Sequence, residues 1–206
     1  MKKMGAKKIY IGLVGEKGGG KDTVMKFIER LLPKKKIVQI RFQDVLTETL
    51  TLWELPRTRE NYQKLSPAFR RAFGPRTITN VARARALRAD ADILILNGIR
   101  WWEDFTMLRS LNKEPGAKSF VVYITAPLRI RYERTRARSD KTGEGKTGES
   151  KISFAKFMKQ ERAFTEKFIK QISKKADVTI GNTGTMNEFR EAVRARILPL
   201  IVGRKL

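Results

Sequence analysis

Residues 9–23 read IYIGLVGEKGGGKDT, a strand-like run that stops at Gly15 and continues with the spacing Gly15-x-x-x-x-Gly20-Lys21. β-branched and apolar residues, a glycine-rich turn and a helix-period stretch from Lys21 onward form one unit. Its chemistry follows from the glycines. With no side chains at Gly15, Gly18, Gly19 and Gly20, backbone N–H groups turn inward and approach phosphate oxygens, and the helix start adds its partial positive charge. Lys21 is placed to bridge the β- and γ-phosphates of a nucleotide, and the strand before and helix after are the context such a loop requires. The residue after the lysine is ordinarily Ser or Thr, whose hydroxyl ligates magnesium; here it is Asp22, with Thr23 next.

Outward from this loop, strand-like and helix-like stretches alternate. Strands are predicted at 9–14, 36–41, 93–96, 120–124 and 178–180, and helices at 21–32, 61–73, 78–88, 102–111, 128–138, 154–173 and 186–200. Strand, helix, strand in repetition predicts an α/β protein with a parallel sheet covered on both faces, its ligands at the carboxyl ends of the strands. Two segments interrupt the rhythm. Residues 44–88 form an arginine-rich, mostly helical insertion containing Pro56, Pro67 and Pro75, and residues 139–151, SDKTGEGKTGESK, are predicted to form a flexible loop.

The 206 residues suit one domain and contain neither Cys nor His. That excludes disulfides, thiolate metal sites, Ser-His-Asp triads and ordinary zinc sites. Phosphoryl transfer survives, since it asks for positioning, cations and oxygen-held magnesium. With 45 Lys and Arg against 21 Asp and Glu, the formal charge is +24. Such a charge suits a polyanionic partner, and a nucleotide, nucleic acid or an anionic membrane surface all qualify on charge alone. No apolar run approaches membrane-spanning length, so no membrane partner and a cytoplasmic location are the expectation.

The segments GKDT, RFQDVL, LNGIR and TAPLRIRYERTRAR together resemble the nucleoside-monophosphate-kinase branch of P-loop proteins, with deoxynucleoside-monophosphate kinases and dephospho-CoA-kinase-like proteins as the nearest likenesses. The likeness runs along nearly the whole chain. It implies a three-layer fold with five parallel strands in the order 2-3-1-4-5, ATP and magnesium as cofactors, and a small phosphorylated acceptor. Residues 1–206 would then be one domain, with an acceptor-binding insertion at about 44–88 and a lid at about 134–153.

Residue by residue, LNGIR places Arg100 where an arginine contacts the acceptor's phosphate, a task suited to a guanidinium fork. Asn97 stands where relatives carry an acidic residue, so with Asp22 the negative charge near the metal has moved across the site. On this reading Asp22 is the metal-side carboxylate and Asn97→Asp should be tolerated or raise activity; the other claim on Asp22 is to cap or salt-bridge the helix start, the metal then being held by phosphates and water. Asp44 matches an aspartate near the attacking oxygen, and capping of the next helix is an equal claim on it. Arg134 and Arg138, four apart on a helix, resemble lid arginines; Arg129, Arg131 and Arg136 have no such match and read as solvated or as drawn to the acceptor's charge. Asn182 follows the last strand where related kinases contact adenine, and is also an ordinary turn former. Thr185 and Glu188 have capping-box spacing. The Trp101–Trp102 pair is a candidate for stacking a base.

Three other functions fit the same residues. One is a dephospho-CoA kinase, whose acceptor is a ribose hydroxyl. Another is a P-loop protein whose charge grips nucleic acid, and the third is a degenerate kinase that binds ATP without transferring phosphate.

Overall fold

The computed structural model describes residues 8–142 and 152–203, the side chains of 138–142 excepted. Strand β1 (Ile9–Val14) leads into helix α1 (Lys21–Leu31), then β2 (Ile37–Arg41). The insertion follows as three helices, α2 (Asp44–Leu52), α3 (Arg59–Phe73) and α4 (Thr77–Arg88). After it come β3 (Ile93–Ile99), α5 (Trp102–Ser110), β4 (Lys118–Thr125), α6 (Leu128–Thr142), α7 (Phe154–Glu161), α8 (Ile169–Ser173), β5 (Val178–Gly181) and α9 (Met186–Val202). All strand pairs are parallel and the sheet order is β2-β3-β1-β4-β5.

Strand period explains the two cores. Tyr10 and Val14 of β1, Leu94 and Leu96 of β3 and Val121 of β4 face one side, where they meet buried residues of α2 to α5 and α8. Ile9, Ile11, Leu13, Ile93, Ile95, Val122 and Ile124 face the other, against Val24, Phe27 and Ile28 of α1 and Phe189, Val193, Ile197 and Ile201 of α9. The four α9 residues recur every fourth position, one stripe of a helix. Because both faces of β1 and β3 are covered, these strands read as continuous apolar runs without alternation. A third, smaller cluster of Tyr132, Ile152 and Phe157 joins α6 to α7.

At the carboxyl end of β3, register against β1 slips, with Leu13 opposite Asn97 and Val14 opposite Ile99. The extra residue is Gly98, at φ +92°. This bulge sits between Asn97 and Arg100 and turns the strand end toward the loop cluster.

Three details depart from the sequence reading. Helix α6 continues through residues 139–142, expected to be loop, while 143–151, the rest of that loop and part of the expected lid, lie outside the described residues. The single helix expected over 154–173 is broken into α7, a 3-10 turn Phe164–Glu166, and α8. Helical period is the weaker force here, because the break turns the Glu166 carboxylate inward to the buried Arg59 and the half-buried Arg100. Arg131, read as solvated, is only 7% exposed.

Leu96 is fully buried in the central strands. Leu96→Ala is expected to lower unfolding free energy by about 2–5 kcal/mol in urea denaturation, with the far-UV circular dichroism spectrum of the remaining folded protein unchanged.

Candidate active site

The phosphate loop is shaped by close backbone approach. A Cβ on Gly15 would stand 2.2 Å from the carbonyl oxygen of Ile124, and one on Gly18, at φ +76°, would stand 2.5 Å from the carbonyl oxygen of Arg131. Neither neighbour is a side chain that can swing away. Gly19 and Gly20 complete the turn, and α1 starts from Gly20 with no side chain capping its first turn. An uncapped helix start framed by glycines fits a polyphosphate, whose oxygens take the place of a cap.

Lys21 turns back over this loop, its Nζ donating to the carbonyls of Gly15 at 2.7 Å and Glu16 at 2.9 Å. Burial, and then the neighbouring Arg100 charge, lower its pKa from the ordinary 10.5 to about 8, with Asp22 and Glu166 pulling the other way. Tyr123 reaches the same loop, donating its hydroxyl to Glu16 Oε1 at 2.9 Å. Burial is the main reason its phenol pKa is raised.

Asp22 and Asn97 meet. The Asn97 amide donates to Asp22 Oδ1 at 2.9 Å, joining the start of α1 to the end of β3. Thr23 follows on the first turn of α1, half-buried. The amide at 97 and the carboxylate at 22 are therefore a matched pair. A carboxylate at both positions would set two negative charges together, so Asn97→Asp needs a bound cation to be tolerated.

Arg100, half-buried after the Gly98 bulge, pairs with Glu166, and so does Arg59 of α3. Arg59 and Glu166 are almost fully buried. Burial by itself pushes the Glu166 carboxyl up, but Arg100 and Arg59 more than reverse that and hold it at about 2. Lys21 also feels both arginines and Glu166, so the phosphate loop and the insertion share one charge cluster. Arg59 stands among eight insertion arginines in the sequence with nothing to mark it, and Glu166 lies in what reads as an amphipathic helix. Neither carries a local signal.

Asp44 opens α2 and accepts the backbone N–H of Arg41, the last residue of β2, at 3.2 Å; no side chain caps the start of α2, so the expected capping role is not met. Arg134 donates to the carbonyl oxygen of Asn182 at 2.9 Å. The side chain of Asn182, only 5% exposed, donates to Gly19 O at 3.0 Å and so braces the phosphate loop. The side chain of Arg138 lies outside the described residues. Thr185 and Glu188 form the capping box of α9.

Arg131 ties the loop to the segment behind it. Its guanidinium donates to Ala126 O at 3.0 Å, to Lys17 O at 3.2 Å and to Glu161 of α7. Lys17 in turn donates to Gln160 Oε1 at 3.1 Å. Trp101 is buried against the guanidinium of Arg70, 4.3 Å from its ring centre, which makes it a core residue. Arg70 also reaches the buried Asp104 at 3.3 Å. Asp104 accepts Thr79 Oγ1 at 2.6 Å and the backbone N–H groups of Arg100 and Trp101, which fixes the turn that carries Arg100.

No family model matches the chain. Among curated proteins, a UPF0200 protein of Thermococcus onnurineus (strain NA1) is 27% identical over 132 residues, 63% of this chain and 68% of that one. A UPF0200/UPF0201 protein of Archaeoglobus fulgidus is 25% identical over 193 residues, which is 92% of this chain but 55% of that protein. The chain thus spans little more than half of the Archaeoglobus relative.

The fold is that of P-loop kinases. Shikimate kinase from Acinetobacter baumannii superposes with a TM-score of 0.53 at 19% identity, covering 98% of this chain and 97% of that one. The APS kinase of Mycobacterium tuberculosis, solved with AMPPNP and APS, gives 0.51 at 18% identity, covering 94% and 99%. Among the described residues no helix is long and apolar enough to cross a membrane.

The depressed Lys21 pKa has a stability consequence of definite sign. Below about pH 8 the ammonium is charged in the folded protein, so the cost of burying it is fully present; between about 8 and 10.5 the unfolded chain holds a proton that the folded chain has released. Wild-type stability relative to Lys21→Met is therefore expected to be lowest below pH 8 and to rise from there to pH 10.5. Urea denaturation of both proteins across pH 7 to 10.5 measures it, and a constant difference would contradict the shift.

Proposed function

We propose that this chain is an ATP-dependent phosphotransferase acting on a small phosphorylated acceptor, a nucleoside or deoxynucleoside monophosphate. The observation that carries the reading is the shared charge cluster. Lys21 of the phosphate loop lies within electrostatic reach of Arg100 and Arg59, which come from β3's end and from the insertion. A donor's terminal phosphate on Lys21 and an acceptor's phosphate on the arginines would be neighbours, with their mutual repulsion offset by three cations. Phosphoryl transfer depends chiefly on such positioning and charge compensation. Arg134 and Arg138 are assigned to the closing lid over residues 134–153, and Asp44 to orienting the attacking oxygen. Asn182 holds the loop from the adenine side.

The donor set also fits magnesium. Among the described residues no three acidic side chains converge as a self-contained metal cage. Asp22 and Thr23 offer one carboxylate and one hydroxyl beside the loop, and magnesium ordinarily takes one or two protein carboxylates and completes its shell with phosphate oxygens and water. When bound, the ion would neutralise phosphate charge; Asp22, steered by Asn97, would hold it directly or through water.

ADP release measured across nucleoside monophosphates, deoxynucleoside monophosphates and dephospho-CoA tests the function. A monophosphate is expected to stimulate release, and Lys21→Ala to abolish it while the protein stays folded. Stimulation by dephospho-CoA alone would move the acceptor oxygen to a ribose hydroxyl, and no stimulation by any member would remove the reading.

Magnesium titration of the same assay tests Asp22. Asp22→Asn is expected to need about tenfold more magnesium for half-maximal release, the low end of what losing an outer-shell partner costs a metal site. Superimposable titration curves would leave Asp22 as a helix-start residue only.

A further inference from the structure

Glu166 does more than a structural ion pair requires. Its Oε1 receives a guanidinium N–H from Arg59, another from Arg100, and the hydroxyl of Thr165 at 3.2 Å. Its Oε2, equally buried, has no hydrogen-bond partner among the described residues. One carboxylate oxygen is thus shared by two guanidinium groups while the other is wasted. A phosphomonoester dianion supplies what one shared carboxylate oxygen does not, enough oxygens for each guanidinium to be met separately.

Glu166 is also mounted on an element suited to move. It ends a three-residue 3-10 turn, Phe164–Glu166, reached through an extended Ala163. Phe164 is 56% exposed and meets Trp101 and Phe168 edge-on, so the turn's remaining hold is the buried Thr165 and Glu166. Just upstream, Gln160 and Glu161 of α7 hold Lys17 and Arg131 at the phosphate loop. Displacement of Glu166 would therefore reach the segment that braces the donor site.

We propose that Glu166 is a tethered stand-in for the acceptor's phosphate: a phosphomonoester dianion takes its place on Arg59 and Arg100, and Glu166 withdraws with the turn Phe164–Glu166. This rests on the acceptor being phosphorylated, as proposed above. The exchange makes the empty protein hold its acceptor arginines ready without leaving them uncompensated. It also makes acceptor affinity the difference between phosphate and carboxylate, so that only a ligand with more than one negative charge displaces the glutamate.

Trp101 provides the readout, because its ring packs edgewise on Phe164 at 5.5 Å between centroids, beside Arg100. Inorganic phosphate is titrated calorimetrically in the presence of saturating ADP, which fills the phosphate loop, and Trp101 emission is followed in a Trp53→Phe/Trp102→Phe background. Wild-type protein is expected to change emission over the concentration range in which heat is released. Glu166→Gln is expected to bind phosphate about tenfold or more tightly, since the competing like charge is gone, and to start with emission close to that of the phosphate-loaded wild type. Adding Arg59→Met to Glu166→Gln should abolish the gain.

Phosphate binding with unaltered Trp101 emission would overturn the exchange, as would a folded Glu166→Gln that binds no more tightly than wild type, or no phosphate binding by either. Should Glu166→Gln fail to fold, the wild-type emission titration decides alone. Failure of ADP itself to bind is seen separately and bears on the phosphotransferase reading instead.

Discussion

The carbonyl oxygen of Ile124 stands 2.2 Å from where any side chain on Gly15 would begin, and the carbonyl of Arg131 closes on Gly18 in the same way. The rest of the site depends on this backbone-to-backbone fit. It lets β1 end directly against β4, delivers Lys21 back over the turn, and leaves the first turn of α1 without a side-chain cap. The loop is then held from outside by contacts that are themselves part of the site. Asn182 donates to Gly19, Arg134 donates to Asn182, and Arg131 donates to Lys17.

Electrostatics imposes the second constraint. A chain with 45 basic residues can bury some of them only where an anion is supplied. Among the described residues, three buried pairings answer that need: Arg59 and Arg100 with Glu166, Arg70 with Asp104, and Arg131 with Glu161. Each joins segments distant in the chain. The insertion is thus fastened to the sheet partly by ion pairs. A multiply charged ligand arriving at the same cations can reorganise ion pairs more readily than it could a packed apolar seam.

Much of this architecture is legible in the order of residues alone. The strand, glycine loop and helix of residues 9–31 are local features, and glycine spacing with strand and helix periodicity reports them directly. The parallel sheet follows from the alternation of elements, its strand order from the likeness of GKDT, LNGIR and the arginine-rich helix to nucleotide kinases. Periodicity misleads over 154–173, where apolar residues keep a helical spacing through a real break, and charge misleads at Arg131, which reads as solvated but is buried against Glu161.

The sequence by itself determined the fold class and the strand, glycine loop and helix around Lys21, because those depend on residues adjacent in the chain or repeated at fixed spacing. Only the tertiary structure decided which arginines face the site. Arg59 is one of eight in the insertion and Glu166 lies 107 residues beyond it, and their pairing exists only because the chain brings α3, the end of β3 and the turn after α7 to one place. Asp22 and Asn97, 75 residues apart, become one hydrogen-bonded unit for the same reason. Burial turns such meetings into strong constraints, since a charge or amide removed from water must find its partner wherever in the sequence that partner lies.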